Sequence, residues 1–155
     1  MDLFLDCLIT FTACFAISIH FNVKGKLIFF AALGGALSYY TYVISSPTNS
    51  VIIQNFFASI VASIYSESLA RILKVPAPTF LIISIIPLVP GSNLYRTMEL
   101  CISSKLSKFA SSAVETLGIA GAIALGILLV SSMFRFAYVI QKLNLHKKTN
   151  SEANV

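Results

Sequence analysis

The residues best suited to chemistry lie at positions 87–93, Pro-Leu-Val-Pro-Gly-Ser-Asn, which follow an apolar stretch in the middle of the chain. Proline has no backbone N–H, so Pro87 and Pro90 remove two hydrogen-bond donors within one helical turn. The carbonyl groups near Ile83 and Ile86 would then lose their helical partners. The spacing therefore predicts a break in the helix, with polar backbone groups that water or a solute can reach.

A helix that restarts after this break would offer an anion-binding end. Gly91 can adopt backbone angles that are closed to other residues, and the side chain of Ser92 or Asn93 can cap the new helix. The first amide groups carry roughly half a positive charge, and Arg96, about one turn further, can bind a carboxylate through two hydrogen bonds. The alternative is a proline kink that only bends the helix, with Arg96 extended to the lipid headgroups.

Other polar positions are less specific. Glu115 lies near the start of a later apolar stretch, where an acid inside a membrane span is a functional candidate and solvation at the membrane surface is the alternative. Gln54 and Asn55 either line a polar path or form hydrogen bonds between helices. Tyr42 and its neighbouring tyrosines fit an aromatic belt. Of these, we add Glu115 to the candidate site.

Motifs for an enzyme or a metal site do not occur in the sequence. His20 and His146 lie far apart, without Cys or carboxylate at ligand spacing. The three cysteines show no CxxC pattern, and no nucleotide-binding or hydrolase signature is present. We therefore predict no catalytic residue, no metal and no other cofactor.

Composition predicts a membrane protein. Of the 155 residues, 57% are hydrophobic and 11% are charged, whereas soluble domains have roughly 45–50% apolar and ~25% charged residues. The mean hydropathy is +0.85. Because one membrane span needs about 20 apolar residues, the chain can form four or five spans in contact with the lipid bilayer. The net charge of +5 comes from Lys and Arg scattered between the apolar blocks, which favours anchoring at the membrane surface over binding of nucleic acid.

The fold class that follows is an all-α integral membrane protein, a bundle of about five transmembrane helices with the fourth broken at the Pro-Leu-Val-Pro-Gly motif. The predicted spans are residues 3–21, 27–44, 51–70, a fourth from residue 79, and 113–136. Residues 97–112 are apolar at helical spacing on one face and predict an amphipathic helix at the membrane surface.

Charge distribution predicts the orientation. With five spans and the N-terminus outside, about eight of the eleven Lys and Arg residues lie on the inner side, as the positive-inside rule requires. If the fourth segment re-enters without crossing, the ratio falls to about seven against four. Five spans are therefore preferred, with residues 1–140 forming the transmembrane domain and residues 141–155 a polar cytoplasmic tail.

Two runs of residues resemble a known family. Residues 71–78, Arg-Ile-Leu-Lys-Val-Pro-Ala-Pro, and residues 87–96, Pro-Leu-Val-Pro-Gly-Ser-Asn-Leu-Tyr-Arg, resemble the C-terminal membrane half of the threonine/serine exporter family. Phe21-Asn22-Val23 and residues 118–126 extend the similarity over nearly the whole chain. The positions that match in the second run are Pro87, Pro90, Gly91, Ser92, Tyr95 and Arg96.

The resemblance implies a subunit of a secondary exporter in the cell membrane. Its substrates would be threonine/serine-like amino acids or small carboxylates, and its partner would be a separate, larger membrane subunit that resembles the N-terminal exporter half. The matching positions, together with Asn93 and Glu115, form the expected substrate site. The alternative is a non-transporting membrane partner that stabilises or localises another protein.

Overall fold

The computed structural model describes residues 3–152, and of residues 138, 139 and 141–152 it describes the helical backbone alone. The predicted all-α fold is confirmed. Its helices are α1 Leu3–His20, α2 Leu27–Ile44, α3 Val51–Leu73, α4 Ala77–Ile85, α5 Gly91–Ile102 and α6 Leu106–Glu152, with 3₁₀ turns at Ser46–Thr48 and Ile86–Leu88. The predicted tail boundary at residue 140 falls inside α6, and residues 153–155 lie outside the described residues.

Short connections make the first three helices antiparallel neighbours. Asn22 and Gly25, with φ of 54° and 63°, turn the chain between α1 and α2. Lys74 ends α3 in the left-handed conformation, with φ of 54°, and its N–H donates to the carbonyl of Ala70. Because each of the first three helices is long and apolar enough to cross a membrane, these turns place their ends on alternate sides.

Helix α6 runs parallel to α3. Gly118 lies against Ile52 and Gly126 against Ser59, and Arg71 near the end of α3 contacts Phe134 of α6. Both helices therefore start at the same side of the bundle. The chain between them has to return to that side, which agrees with α4 and α5 forming one broken span, bent by 54°. This register favours five spans over four.

The core of the bundle is built from small side chains. Ala31, Ala32, Gly34, Gly35 and Ser38 of α2 are buried, and α2 packs against α1, α3 and α4. On α3, the buried set is Gln54, Asn55, Ala58, Ser59, Ala62, Ser63, Ser66 and Ala70. Small residues allow helix backbones to approach closely where lipid supplies no hydrophobic driving force between helices.

The hairpin of α5 and the start of α6 departs from the prediction. The prediction of a single amphipathic helix over residues 97–112 is wrong, because the chain turns at residues 103–105, where Ser104 has a φ of 54°. The N–H groups of Ser103 and Lys105 donate to the carbonyls of Glu99 and Leu100 in that turn. Helix α6 therefore begins at Leu106 instead of residue 113. Helix α5 buries none of its residues and packs against α6.

The two glycines of α6 at positions 121 and 126 provide a matched test of the α3–α6 contact. A Cβ on Gly126 would meet Ser59 Oγ and lie 3.1 Å from the Phe56 carbonyl oxygen, whereas a Cβ on Gly121 would meet nothing within 4 Å. Alanine favours both helical positions by about 1 kcal/mol, but crowding a packed site costs about 1–3 kcal/mol. We expect Gly126→Ala to lower the melting temperature in detergent, and Gly121→Ala to preserve or raise it. A Gly126→Ala protein that melts no lower than wild type would contradict this packing.

The natural cysteines test the orientation. Cys101 is exposed near the end of α5, whereas Cys14 is buried. With five spans and the N-terminus outside, we expect a membrane-impermeant maleimide to label Cys101 in intact cells, and Cys101→Ala to remove that part of the signal, with Cys7→Ala as the control. Labelling of Cys101 only after the membrane is permeabilised would show that the orientation or the span count is wrong.

Candidate functional site

The break between α4 and α5, residues 86–90, is stabilised by other parts of the bundle. Pro87 has no N–H for the carbonyl of Ile83, and the thiol of Cys14 in α1 lies 3.8 Å from that oxygen instead. The carbonyl of Ile86 accepts the N–H of Val89 at 3.2 Å inside the turn. The prediction of unpaired carbonyls at Ile83 and Ile86 is therefore wrong, because partners come from a distant helix and from the 3₁₀ turn.

A serine of α2 also reaches the end of α4. Ser38 Oγ lies 2.6 Å from the carbonyl oxygen of Ser84 and 2.8 Å from that of Gly35 in its own helix. Its single proton is shared between these two acceptors. Ser38 and Ser84 are both fully buried, so the hydrogen bond links α2 to the last turn of α4 in an apolar environment.

The first turn of α5 leaves two amide groups without backbone acceptors. The N–H of Gly91 donates to the Val89 carbonyl at 2.7 Å, and that of Leu94 to the Pro90 carbonyl at 3.0 Å. Within the described part of the chain, the N–H groups of Ser92 and Asn93 make no such bond. These two donors stand at the positive end of the α5 dipole.

Two details of the predicted helix start are wrong. Helix α5 begins at Gly91 with Pro90 before it and no side-chain cap, so neither Ser92 nor Asn93 is the capping residue. Gly91 also does not use a positive φ, and a Cβ added there would meet nothing within 4 Å. Proline supplies the non-helical backbone that ends the break, and the special freedom of glycine is not used.

A partly open cavity of about 160 Å³ adjoins the break, which we call the break cavity. Its volume exceeds the ~15 Å³ that one water requires. The lining residues include Pro87, Pro90, Ser92 and Asn93 from the broken span, Tyr42 from α2, Asn55 from α3 and Ile119 from α6. The break is therefore open to a solute.

Asn55 is the buried polar side chain of this cavity. It is only 3% exposed, and its Nδ2 donates to the carbonyl of Val51 at 2.8 Å. Its Oδ1 has no hydrogen-bond partner among the described residues. A buried acceptor without a partner costs about 1–3 kcal/mol, so Asn55 carries an unmet hydrogen-bonding need beside the break cavity.

A second polar space, the hairpin cleft, lies between α5 and α6. It measures about 270 Å³, and its polar lining is Asn93, Arg96, Lys108, Ser111, Ser112 and Glu115. Next to it, Thr97 Oγ1 lies 2.7 Å from Ser112 Oγ and 3.3 Å from Thr116 Oγ1. Because Asn93 lines both spaces, the break cavity and the hairpin cleft adjoin each other.

The structure divides the predicted site residues into three groups. Those in the break cavity are Pro87, Pro90, Ser92 and Asn93. Those in the hairpin cleft are Arg96 and Glu115, again with Asn93. Tyr95 is 73% exposed and lines neither space, and Gly91 also lies outside both. Arg96 and the free amides therefore face adjoining spaces, not one shared position.

Sequence reasoning missed several residues of this region. The sequence predicts that Tyr42 belongs to an aromatic belt, and it gives no signal for the hydroxyl cluster of Thr97, Ser112 and Thr116. For Asn55 the sequence leaves open a polar path and a structural hydrogen bond; in the structure its Nδ2 donates to the Val51 carbonyl, its buried Oδ1 has no partner among the described residues, and the residue lines the break cavity. The one signal for Asn55 in the sequence is a small amide side chain at a helix position that faces the interior.

The chemistry that this arrangement offers is recognition of a polar solute. No group of three or more His, Cys, Asp or Glu side chains that could hold a metal ion occurs in the part of the chain that was described. Ser92, Asn93 and Asn55 line the break cavity, and the hairpin cleft adds Arg96, Lys108 and Glu115.

A family model described as Threonine/Serine exporter, ThrE, matches residues 6–133. The chain belongs to the threonine/serine exporter family. The match runs from α1 through the apolar part of α6, so it includes the break cavity and the hairpin cleft of this exporter-family chain. Neither a search of curated proteins nor a search of solved structures returned a match. Family and fold together confirm a multi-pass membrane protein of the transporter type.

Ser38 provides a test of how the exporter-family bundle supports its break. Ser38→Ala removes the hydroxyl that meets the Ser84 carbonyl, and we expect a loss of about 1–2 kcal/mol in stability. Ser66→Ala is the matched control, because Ser66 is equally buried but bonds to Ala62 in its own helix. Thermal unfolding in detergent should place Ser38→Ala clearly below Ser66→Ala. Equal melting temperatures of the two variants would show that Ser38 does not stabilise the break.

Proposed function

We propose that the chain forms one half of a proton- or gradient-driven exporter for threonine/serine-like amino acids or small carboxylates. It would act with a separate, larger membrane subunit. The observation that carries this proposal is the break cavity, which Ser92 and Asn93, whose N–H groups have no backbone acceptor, line together with Asn55, whose Oδ1 has no hydrogen-bond partner among the described residues.

The break cavity matches the functional groups of such a substrate. Carboxylate oxygens would accept hydrogen bonds from the N–H groups of Ser92 and Asn93, at the positive end of α5. The Oδ1 of Asn55 would accept a hydrogen bond from a substrate N–H or O–H. Half-helix ends hold substrate carboxylates in the same way in several other secondary transporters.

The hairpin cleft supports a route away from this cavity. Asn93 borders both spaces, and Arg96 and Lys108 add positive charge beyond it. A carboxylate that leaves the free amides would meet the guanidinium of Arg96 next. Glu115 is the acidic residue of this cleft.

The open sides of these spaces support a second subunit. The break cavity is only partly enclosed by this chain, and α5 buries none of its residues here. A substrate that crosses the bilayer needs protein or water around its polar groups along the whole path. The partner half would supply the remaining wall.

The alternative function is a non-transporting membrane partner. The exposed apolar side chains of Met98, Ile102 and Leu106 on the hairpin favour it, since they offer a surface for another membrane protein. Co-expression separates the two functions. If any anchoring segment can replace this chain, the non-transporting function is correct. If export needs this chain with an intact break cavity, the exporter function is correct.

Export assays on cells that carry both subunits test the proposal. We expect Asn55→Leu to reduce efflux at least about tenfold, because the loss of one buried hydrogen bond to a ligand is worth roughly 1.4 kcal/mol or more. Gln54→Leu is the matched control, since Gln54 is the neighbouring buried amide and does not line the break cavity. Efflux of labelled threonine, serine and a dicarboxylate is measured at equal membrane levels of each variant.

Arg96 and Pro90 give the second pair of variants. We expect Arg96→Ala and Pro90→Ala each to slow export. Lys105→Ala is the control, because it removes an equal charge from the turn beside the hairpin cleft and should leave the export rate unchanged. Wild-type rates for Asn55→Leu, Arg96→Ala and Pro90→Ala together would refute the proposed substrate site.

A further inference from the structure

A third opening, lined by both charged and apolar residues, lies at the opposite end of α3 from the break cavity. It measures about 400 Å³ and is formed by α3, α4 and α6; we call it the arginine crevice. Its charged lining residues are Glu67 and Arg71 of α3 and Arg135 of α6, and its apolar wall includes Pro78, Leu81 and Phe134. The proposed export function does not use any of these residues.

Arg71 makes two contacts with Phe134 at this crevice. Its Nη2 donates to the carbonyl oxygen of Phe134 at 3.1 Å, and its guanidinium carbon lies 4.9 Å from the centre of the Phe134 ring. These two contacts use one face of the guanidinium and one of its five N–H donors. The remaining donors stay available to an anion, and less side-chain entropy is lost when one binds.

The backbone adds further positive potential. Ala77, the first residue of α4, lines the arginine crevice, so the crevice lies at the positive end of the α4 dipole. Pro78 has no N–H, and the N–H of Thr79 donates to the Pro76 carbonyl at 3.2 Å. The helix end by itself would attract an anion only weakly, but here it faces the same space as two arginines.

Charge and location indicate what the crevice binds. Two arginines against Glu67 leave one net positive charge, which complements the single negative charge of a phosphodiester. The same end of the bundle carries Lys24, Lys26 and Lys74 in the turns after α1 and α3. The positive-inside rule assigns this end to the cytoplasmic leaflet, where anionic lipids concentrate.

We propose that the arginine crevice binds the phosphodiester headgroup of an anionic phospholipid. Arg71 and Arg135 contact the phosphate oxygens, and Pro78, Leu81 and Phe134 contact the glycerol and the first acyl carbons. The apolar wall selects a lipid over free phosphate, which has no apolar part to bury. One bound lipid then bridges α3, α4 and α6 and stabilises their packing.

Lipid binding to the purified full-length chain tests this site. Native mass spectrometry and thermal unfolding are measured in a mild detergent with added phosphatidylglycerol or phosphatidylcholine. We expect phosphatidylglycerol to bind and raise the melting temperature, and phosphatidylcholine to do so much less. Arg71→Gln/Arg135→Gln should weaken phosphatidylglycerol binding at least about tenfold, since two charge-assisted contacts are lost. Lys24→Gln/Lys26→Gln removes the same charge at the same end of the bundle and should retain binding.

Each other outcome overturns the proposal. Equal losses in both double variants would mean diffuse attraction to a basic surface. Displacement of the lipid by equimolar inorganic phosphate or glycerol 3-phosphate would identify a soluble phosphate as the ligand, and displacement by threonine or a dicarboxylate would identify a second substrate site. If the double arginine variant fails to fold, Arg135→Gln alone decides, because its exposed side chain leaves the contacts between Arg71 and Phe134 in place. Unchanged affinity in that variant would refute the site.

Discussion

The amide donor that is missing at Pro87 constrains how the neighbouring helices pack around the end of α4. In an apolar membrane interior a backbone carbonyl without a hydrogen bond costs several kcal/mol. The thiol of Cys14 lies at the Ile83 carbonyl, which Pro87 leaves without its helical donor, and the hydroxyl of Ser38 donates to the adjacent carbonyl of Ser84. Helices α1 and α2 must therefore lie close to the end of α4, and the position of the break is fixed by helices far away in the sequence.

Glycines make this close approach possible. A Cβ on Gly35 would collide with Cys14 Sγ, and a Cβ on Gly34 would collide with Ser84 Oγ and lie 2.9 Å from the ring of Tyr65. Both glycines belong to α2, the helix that also carries Ser38. In lipid, helices associate mainly through van der Waals contact and polar pairing, because there is little hydrophobic driving force between them. The same helix thus provides the space and the donor, and the broken span keeps a defined shape.

The parallel pair of α3 and α6 borders two of the openings, the break cavity near the start of α3 and the arginine crevice near its end. Near the start of α3, Asn55 faces the break cavity, where the donors and the acceptor are neutral groups of the backbone and of an amide. Near its end, Arg71 and Arg135 face the arginine crevice. Neutral hydrogen-bonding groups allow a solute to bind and leave, whereas two guanidinium groups hold a phosphodiester more firmly. The two ends therefore suit different ligands, one that moves through the protein and one that stays with it.

The sequence by itself determined the membrane location, the four apolar helices and the place of the break, because hydropathy over about 20 residues and the missing N–H of proline act locally. It also identified Ser92, Asn93, Arg96 and Glu115 as polar groups of that region. Tertiary structure alone decided that Cys14 and Ser38 pair with α4, that Asn55 and Tyr42 border the break cavity, and that the chain turns at residues 103–105. It also decided that Gly91 uses no special conformation and that Tyr95 lies outside the polar spaces. Each of these depends on how distant helices approach one another, and helix register is set by the fit of small side chains such as Gly35 against Cys14, which no local pattern records.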